Sequence, residues 1–514
     1  MDIILKLLDE YTVLSPQEKK QRQELILSYK NPVGILFDIL QSKDTEKQHK
    51  RYCINALCDI ALKPAYKKKI SRILYPSLAE KIISIDDPKI RKAAAKLIGI
   101  INKKDYSQTL IDAVEREDTM YVLDSLILAL GYTDYSKRSL GFLKNYKPKS
   151  TEKKHLEKEK TAIQKAISSL TPVEKIENVL LKDLPIVLTY CAELKDSLSS
   201  EMDDYGLAYK HSKIIKNSLS VKPNDYRDVF GLRCFFEALI YIGEFPLGDL
   251  NDMIKKIFVK AESLFSLESY KFRIDLQYLD PKDKKETMDK LLNIIDEFDN
   301  FESSPSNYQF ELRLIFSDNS IKAFISVPSL DDRFSYRKET IPASINPVVA
   351  ASIMRALKPY FKADAKVLDP FVGTGTMLFE RDYILPCEEL IGVDVKKETL
   401  YKAKKNFLNK DIPSSFLVSD ILEADLNQEF DEIISNMPFG RRVSTHNDNT
   451  KLYQGFISQL KSLLKVGGFA FLYTNEKQLL KSVLRGEDKL ILIDEIVVES
   501  GGLYPSIFII KREK

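Results

Sequence analysis

The sequence predicts a multidomain chain: an all-α N-terminal region, an α+β middle region and a C-terminal α/β domain with a mostly parallel sheet. Three observations predict it. The first 170 residues are dense in Leu, Ile, Ala and Lys at helical spacing and lack strand alternation. Within the last 150 residues, four short apolar runs end in Asp or Asn. The first of those four runs into a Gly-x-Gly turn and then into a helix-forming stretch. At 514 residues there is room for three or four domains.

Residues 1–147 read as paired helices. Val33 to Leu40 and Arg51 to Leu62 have helix–turn–helix character. Asp86-Asp87-Pro88 precedes Ile90 to Ile101, and Glu117-Asp118, 31 residues on, precedes Tyr121 to Leu130. A repeated turn before an apolar helix suggests a short HEAT-like solenoid, in which stacked pairs bury what no single pair can. The repeat is imperfect, so an irregular helical bundle stays open. Either would dock a protein partner or RNA without chemistry of its own. Residues 148–171 read as a basic linker or helix. Lys137 to Lys165 holds ten Lys/Arg against three Glu, which suits phosphate tracking or a solvated linker.

Residues 172–308 mix strands and helices. Asp183 to Tyr190 predicts a strand, followed by a helix with Leu194, Leu198 and Met202. Phe230-Gly231-Leu232-Arg233-Cys234-Phe235-Phe236 runs on to Ile240 and Phe245. Phe310 to Phe316 and Ile321 to Val327, joined through Asp318-Asn319-Ser320, predict a hairpin, because Asp and Asn tolerate a left-handed backbone. Residues 309–340 are therefore expected to link the middle region to the C-terminal domain.

Residues 341–514 carry the chemistry. Lys366-Val367-Leu368 is a strand leading into Asp369-Pro370-Phe371-Val372-Gly373-Thr374-Gly375-Thr376, and a helix follows. Strand, glycine turn and helix make the ligand crevice at the carboxyl edge of an α/β sheet. A dinucleotide fingerprint would have its third glycine where Leu378 stands, and Asp369 would repel a pyrophosphate. The acid suits instead the cationic aminoacyl part of S-adenosylmethionine. Glu389 to Asp394 and Ser415 to Asp420 are further strands ending in carboxylates, fit for ribose hydroxyls and an adenine amine respectively. Thr399 to Leu408 reads as a helix between them. Lys451 to Leu464 predicts another, with Gly467-Gly468 as its C-cap. Phe469 to Tyr473, Lys489 to Val498 and Tyr504 to Lys511 bring the strands to seven, the last two a hairpin.

The fourth strand, Phe430 to Ser435, delivers Asn436-Met437-Pro438-Phe439-Gly440. An exocyclic amine on guanine or adenine is a poor nucleophile, because its lone pair is delocalised into the ring. An Asn oxygen and a neighbouring carbonyl accepting its two hydrogens favour a pyramidal nitrogen. An aromatic side chain stacks on the extruded base, at about 1–3 kcal/mol per base. Proximity dominates such a transfer, and no metal is expected. Arg441 and Arg442 adjoin the motif and suit phosphate contact.

Residues 310–514 resemble the THUMP-associated RNA methyltransferases that methylate guanine N2 in tRNA or ribosomal RNA, within the Rossmann-like class I fold. The matching stretches are Arg333-Phe334-Ser335-Tyr336-Arg337, Pro342-Ala343-Ser344-Ile345-Asn346-Pro347, the Asp369 loop and Asn436 to Gly440 with Arg441-Arg442. The resemblance implies S-adenosylmethionine as cofactor, held by Asn346, Pro347, Asp369, Phe371, Gly373, Gly375, Thr376, Asp394, Asp420 and Asn436. It implies catalytic roles for Asn436, Pro438 and Phe439, and substrate contacts by Arg333, Arg337, Arg441 and Arg442. It makes the Asp183 and Phe230 segments parts of a diverged THUMP-like RNA-binding region. The family motif has two prolines before the aromatic, and Met437 replaces the first.

Lys+Arg number 78 and Asp+Glu 75, a net charge of +3, so a nucleic-acid surface must be a local patch. Five cysteines without CxxC spacing and four scattered histidines argue against structural zinc and a disulfide framework. No signal peptide or membrane-spanning run is evident, which predicts a cytoplasmic protein. Two other classes remain open: a DNA N6-adenine methyltransferase, which uses the same amine-holding motif, and a non-catalytic scaffold.

Overall fold

The computed structural model describes all residues except 1, 10, 102–105, 134–136, 172, 306, 409–411, 440–445 and 514; for 2, 16, 64, 153, 154 and 446–448 it describes the backbone alone. The chain divides into two compact units, residues 1–174 and 175–514.

The first unit is helical throughout its described length: α1 (Asp2–Leu8), α2 (Pro16–Leu27), α3 (Pro32–Gln41), α4 (Lys47–Ala61), α5 (Pro64–Ile73), α6 (Pro76–Ile83), α7 (Pro88–Ile101), α8 (Ser107–Arg116), α9 (Met120–Gly131), α10 (Lys137–Asn145) and α11 (Lys153–Leu170). Five of these open on proline, whose missing N–H and fixed φ suit a first helical position. α7 packs on α4, α9 on α7 and α11 on α9, while α6, α8 and α10 pack against α7, α9 and α11 in turn. The two acidic turns join successive layers. Asp87 accepts the N–H groups of Lys89 and Ile90 and pairs with Arg51 of α4 at 2.6 Å. Glu117 pairs with Arg91 of α7 at 2.7 Å.

Of the two readings of 148–171 the helix is the one that forms, as α11, and Ala162, Ala166 and Leu170 of α11 lie in the same apolar core as α4, α7 and α9. A Cβ on Gly131 would sit 2.6 Å from the Ala166 backbone, so α9 and α11 meet at a contact only glycine permits. Part of the basic run also faces inward, with Lys149 Nζ donating to the carbonyls of Val114, Glu115 and Glu117.

The second unit holds two sheets. The first contains β1 (Ile186–Thr189), β2 (Tyr209–His211), β3 (Ser218–Val221), β4 (Ala238–Pro246), β5 (Tyr270–Gln277), β6 (Phe301–Ser303), β7 (Phe310–Phe316) and β8 (Ser320–Ser326), in the order β2-β3-β1-β4-β8-β7-β5-β6. α12 (Lys195–Asp204), α13 (Leu250–Leu264) and α14 (Pro281–Ile295) complete this α+β region. Phe258, Phe272, Phe301 and Phe310 stack in its core. The hairpin β7–β8 forms where the turn residues place it, but it is not a link. β8 pairs with β4 and β7 with β5, so the hairpin is the middle of the sheet.

The C-terminal sheet contains β9 (Lys366–Asp369), β10 (Glu389–Asp394), β11 (Ser414–Val418), β12 (Phe430–Asn436), β13 (Leu464–Thr474), β14 (Leu490–Val497) and β15 (Ser506–Arg512), in the order β11-β10-β9-β12-β13-β15-β14. The first five strands in that order run parallel, and β15, reversed, pairs antiparallel with both β13 and β14. α15 (Pro347–Leu357), α16 (Thr376–Ile384), α17 (Lys397–Phe407), α18 (His446–Leu463) and α19 (Lys477–Leu484) accompany it. Strand order reverses beside β9, which puts the crevice at the carboxyl ends of β9, β10 and β12. Gly467-Gly468 do not cap α18. They lie within β13, where four residues of β13 (465–468) stand opposite Asp431 alone of β12, and a Cβ on Gly468 would meet the Asp431 carbonyl at 2.7 Å. No helix among the described residues is long and apolar enough to cross a membrane.

Candidate active site

Four parallel strands end around one crevice. β9 ends in Asp369, β10 in Asp394 and β12 in Asn436, while Asp420 follows β11 by two residues. Asp369 is buried, and its Oδ1 accepts from the Phe371 N–H at 3.0 Å and the Ser435 hydroxyl at 2.6 Å. Burial, only partly offset by these bonds, pushes its pKa up to about 7. Asp369 thus braces the base of the loop against β12.

Gly373 and Gly375 have φ of 55° and 85°, the left-handed region that glycine enters without penalty. A Cβ on Gly375 would also stand 2.5 Å from the Phe407 ring. The Gly373 N–H donates to Asp394 Oδ2 at 3.2 Å, and the Lys396 N–H holds the other oxygen at 2.8 Å. Asp394 is half-buried, and burial raises its pKa. Asp420 is exposed and accepts from the Leu422 N–H. Phe371 lies edge-on to Phe456, and Thr376 opens α16 with a buried hydroxyl that has no partner among the described residues.

The segment before the domain folds over this loop. Ser344 Oγ bonds Thr374 Oγ1 at 3.0 Å, and Arg337 Nη2 donates to the Ile345 carbonyl at 3.1 Å. Asn406 of α17 stitches both together. Its amide donates to the carbonyls of Glu339 and Thr374, and its oxygen accepts from the Glu339 N–H. Asn406 escaped the sequence reading because it sits inside an ordinary helix with no motif around it. Asn346 and Pro347 start α15: the Asn346 oxygen caps the helix by accepting the Val348 N–H, and Pro347 takes the first turn.

Asn436 faces this segment, with Nδ2 3.4 Å from the Ala343 carbonyl. Its Oδ1 is buried and has no partner among the described residues. An orphaned buried acceptor costs about 1–3 kcal/mol, so this oxygen is held ready for a donor that the described residues do not provide. Met437 is buried, and its N–H donates to the Tyr473 carbonyl at 2.9 Å. A proline there would have no N–H to give, so the departure from the two-proline motif adds a bond between β12 and β13. The Pro438 carbonyl accepts from Tyr453 Oη at 3.0 Å, and Phe439 stands edge-on to Tyr473 with ring centres 6.3 Å apart. Arg441 and Arg442 lie outside the described residues.

Arg333 is not placed for substrate. Its side chain is buried, paired with Asp331 at 2.7 Å and donating to the Phe235 carbonyl at 2.8 Å. Arg233, in the segment expected to meet RNA, is likewise taken up inside the protein. It forms a two-pronged pair with Glu380 of α16 at 2.7 and 2.8 Å and donates to the Arg333 carbonyl. Tyr336 donates to the same Glu380 at 2.6 Å and stacks on Phe379. Arg233 clamps the α+β region to the C-terminal domain, while Arg333 ties two segments of the α+β region together. Arg337, half-buried, reaches the Ile345 carbonyl and lends its charge to the enclosing segment.

The chain's likenesses agree with this geometry. Residues 335–505 match the family described as UPF0020, RMKL-like, methyltransferase domain. A tRNA (guanine(6)-N2)-methyltransferase of Thermus thermophilus is 30% identical over 200 residues, covering 37% of this chain and 57% of that protein. The tRNA (guanine(6)-N(2))-methyltransferase THUMP3 of Mus musculus is 24% identical over 237 residues, covering 42% of this chain and 46% of that one. The chain thus spans about half the length of these relatives. The crystal structure of TrmN from Thermus thermophilus superposes with a TM-score of 0.50 at 21% identity, covering 64% of this chain and 99% of that one. That likeness extends the shared fold beyond the catalytic sheet.

Proposed function

We propose that this chain, whose residues 335–505 form an RMKL-like methyltransferase domain, methylates the N2 amine of a guanine in RNA, tRNA or ribosomal RNA being the substrate class. The observation that carries the reading is Asn436 Oδ1 at the crevice mouth, buried and without a partner among the described residues. It is an acceptor waiting for an N–H.

S-adenosylmethionine bound in the crevice supplies an electrophilic methyl group on a sulfonium. The residues around it do the rest. Gly373 and Gly375 let the backbone approach the cofactor closely, and Asp394 and Asp420 accept from its hydroxyl and amine groups. Asp369, Phe371 and Thr376 shape the loop, while Asn346 and Pro347 fix the enclosing segment above it. Asn436 Oδ1 and the Pro438 carbonyl accept the two hydrogens of the guanine amine, concentrating its lone pair on the side facing the methyl. Phe439 stacks on the extruded base. Held so, the nitrogen would face the methyl group that the cofactor would supply, and the amine's proton would leave to solvent. Arg441 and Arg442 follow the motif directly and meet phosphates.

The α+β region, residues 172–340, acts as a diverged THUMP-like RNA-holding domain, supported by its position beside α16 through the Arg233–Glu380 clamp. Residues 1–171 act as a HEAT-like solenoid, supported by the stacked helices and the repeated Arg51–Asp87 and Arg91–Glu117 pairs. Five buried free thiols suit a reducing, cytoplasmic compartment.

The test is methylation of undermodified tRNA, ribosomal RNA and duplex DNA, kept separate, with methyl-labelled S-adenosylmethionine and nucleoside mass spectrometry. Wild type should yield N2-methylguanosine. Asn436→Ala should lower turnover by at least about a hundredfold while cofactor affinity holds, and Asp394→Ala should weaken cofactor binding by about tenfold or more. Label on adenine would overturn the substrate assignment. Cofactor binding without label in any fraction would replace the enzyme with a scaffold.

A further inference from the structure

The N-terminal unit has a cavity of about 400 Å³ between the α2–α3 turn and α5. Its floor is apolar, formed by Leu27, Pro32, Val33 and Ile73. Two tyrosines, Tyr29 and Tyr66, flank it, and Lys69 and Arg72 complete the rim. Lys69 Nζ lies 5.2 Å from the Tyr66 ring centre. Asn31, on the wall, has a left-handed backbone, and its side chain makes no capping bond to α3.

Charge is concentrated on this side. α5 carries Lys67, Lys68, Lys69 and Arg72, and the sequence from Ile60 through Ala79 contains no Asp or Glu. In a chain of net charge +3 that is a local excess. Ile70 supplies the buried face of α5, so packing leaves Lys68, Lys69 and Arg72 exposed. Among the described residues, no ion pair engages these four cations.

We propose that this pocket binds an unpaired nucleotide of RNA, its base between Tyr29 and Tyr66 over the apolar floor and its phosphates at Lys69 and Arg72. Single-stranded nucleic acid is held by this combination of aromatic faces and backbone-tracking cations. An acidic peptide would satisfy the cations but leave the rings and floor unmatched. The proposal rests on the RNA reading above for the identity of the strand, and on the cavity alone for its location.

The test uses the full chain and an unstructured oligoribonucleotide carrying 4-thiouridine. Ultraviolet crosslinking and peptide mass spectrometry locate the contact, and fluorescence anisotropy measures affinity against salt. A crosslink to the peptides bearing Tyr29 or Tyr66 is expected. Lys69→Ala with Arg72→Ala should weaken binding about tenfold and flatten the salt slope by about 1.4, the loss of two single-strand phosphate contacts. Tyr66→Ala should weaken binding with the slope unchanged. Both variants change rim side chains, and circular dichroism verifies their fold. Crosslinks confined to residues 175–514, or displacement by poly-glutamate as effective as by RNA, would overturn the proposal. Asn436→Ala must keep the crosslink. A chain that crosslinks here but methylates no RNA keeps the pocket and loses the methyltransferase reading, whereas one that methylates without this crosslink loses the pocket alone.

Discussion

Breaking the Arg233–Glu380 pair should show how firmly the α+β region is fastened to the C-terminal domain. Both side chains are buried, at 7% and 1% exposure, and the guanidinium spends three donors on the two Glu380 oxygens and the Arg333 carbonyl. In Arg233→Met, Glu380 keeps only Tyr336 as a donor, and in Glu380→Leu, Arg233 keeps only a carbonyl. Each single change strands a buried charge, at a cost of about 3–5 kcal/mol. The double variant strands no charge. It leaves the Arg333 carbonyl and the Tyr336 hydroxyl short of a partner, about 1–3 kcal/mol each. Taking central values, two singles of about 4 kcal/mol apiece face a double of about 4, a coupling of about 4 kcal/mol. Urea unfolding of the four proteins, followed by tyrosine fluorescence and circular dichroism, measures it. Additivity to within about 1 kcal/mol would refute the view that the pair acts as one buried unit.

Two further perturbations probe the loop. The Asp369 carboxyl titrates near 3.8 when unfolded and about 7 when folded, so between those values the folded state holds the extra proton and stability falls as pH rises. The total loss is on the order of 4 kcal/mol, complete above pH 7. Asp369→Asn keeps the oxygen that accepts from Phe371 and Ser435 and removes the charge. It should be more stable than wild type at pH 7.5 and no more stable at pH 4, and denaturant titrations giving the same difference at both would reject the buried-carboxyl argument. Gly375→Ala must adopt φ of 85° and push aside Phe407. It should lose about 1–3 kcal/mol and weaken cofactor binding, as thermal melts with and without S-adenosylmethionine would show.

Much of the catalytic region was legible because its signals are local. A glycine that must take positive φ, a carboxylate closing a short apolar run and a proline opening a helix each depend on a few neighbouring residues. Hence Gly373, Gly375, Asp369, Asp394 and Asn436 could be named in order along the chain, and the parallel sheet brings them to one edge. The hairpin β7–β8 was legible for the same reason, through its turn. Its place at the centre of an eight-stranded sheet was not, since β5 pairs with it across 38 residues and β4 across 74 to 85, and no local pattern says which strands they join.

The arginines mark the boundary most clearly. By sequence Arg333 is a cation beside a binding motif with Asp331 two residues before it, and only the fold brings Phe235 and Arg233 around it. Arg233 and Glu380 are 147 residues apart, and Arg381 finds Glu432 across 51. Asn406 joins a helix to a loop and to a strap 67 residues earlier. Sequence by itself determined the element types, the turn chemistry and the residues that chemistry requires, because backbone sterics and periodicity act over a few residues. Tertiary structure alone decided which charges are buried in pairs, which glycines serve packing and which acceptor was left without a donor, because those depend on chain crossovers that unite distant segments.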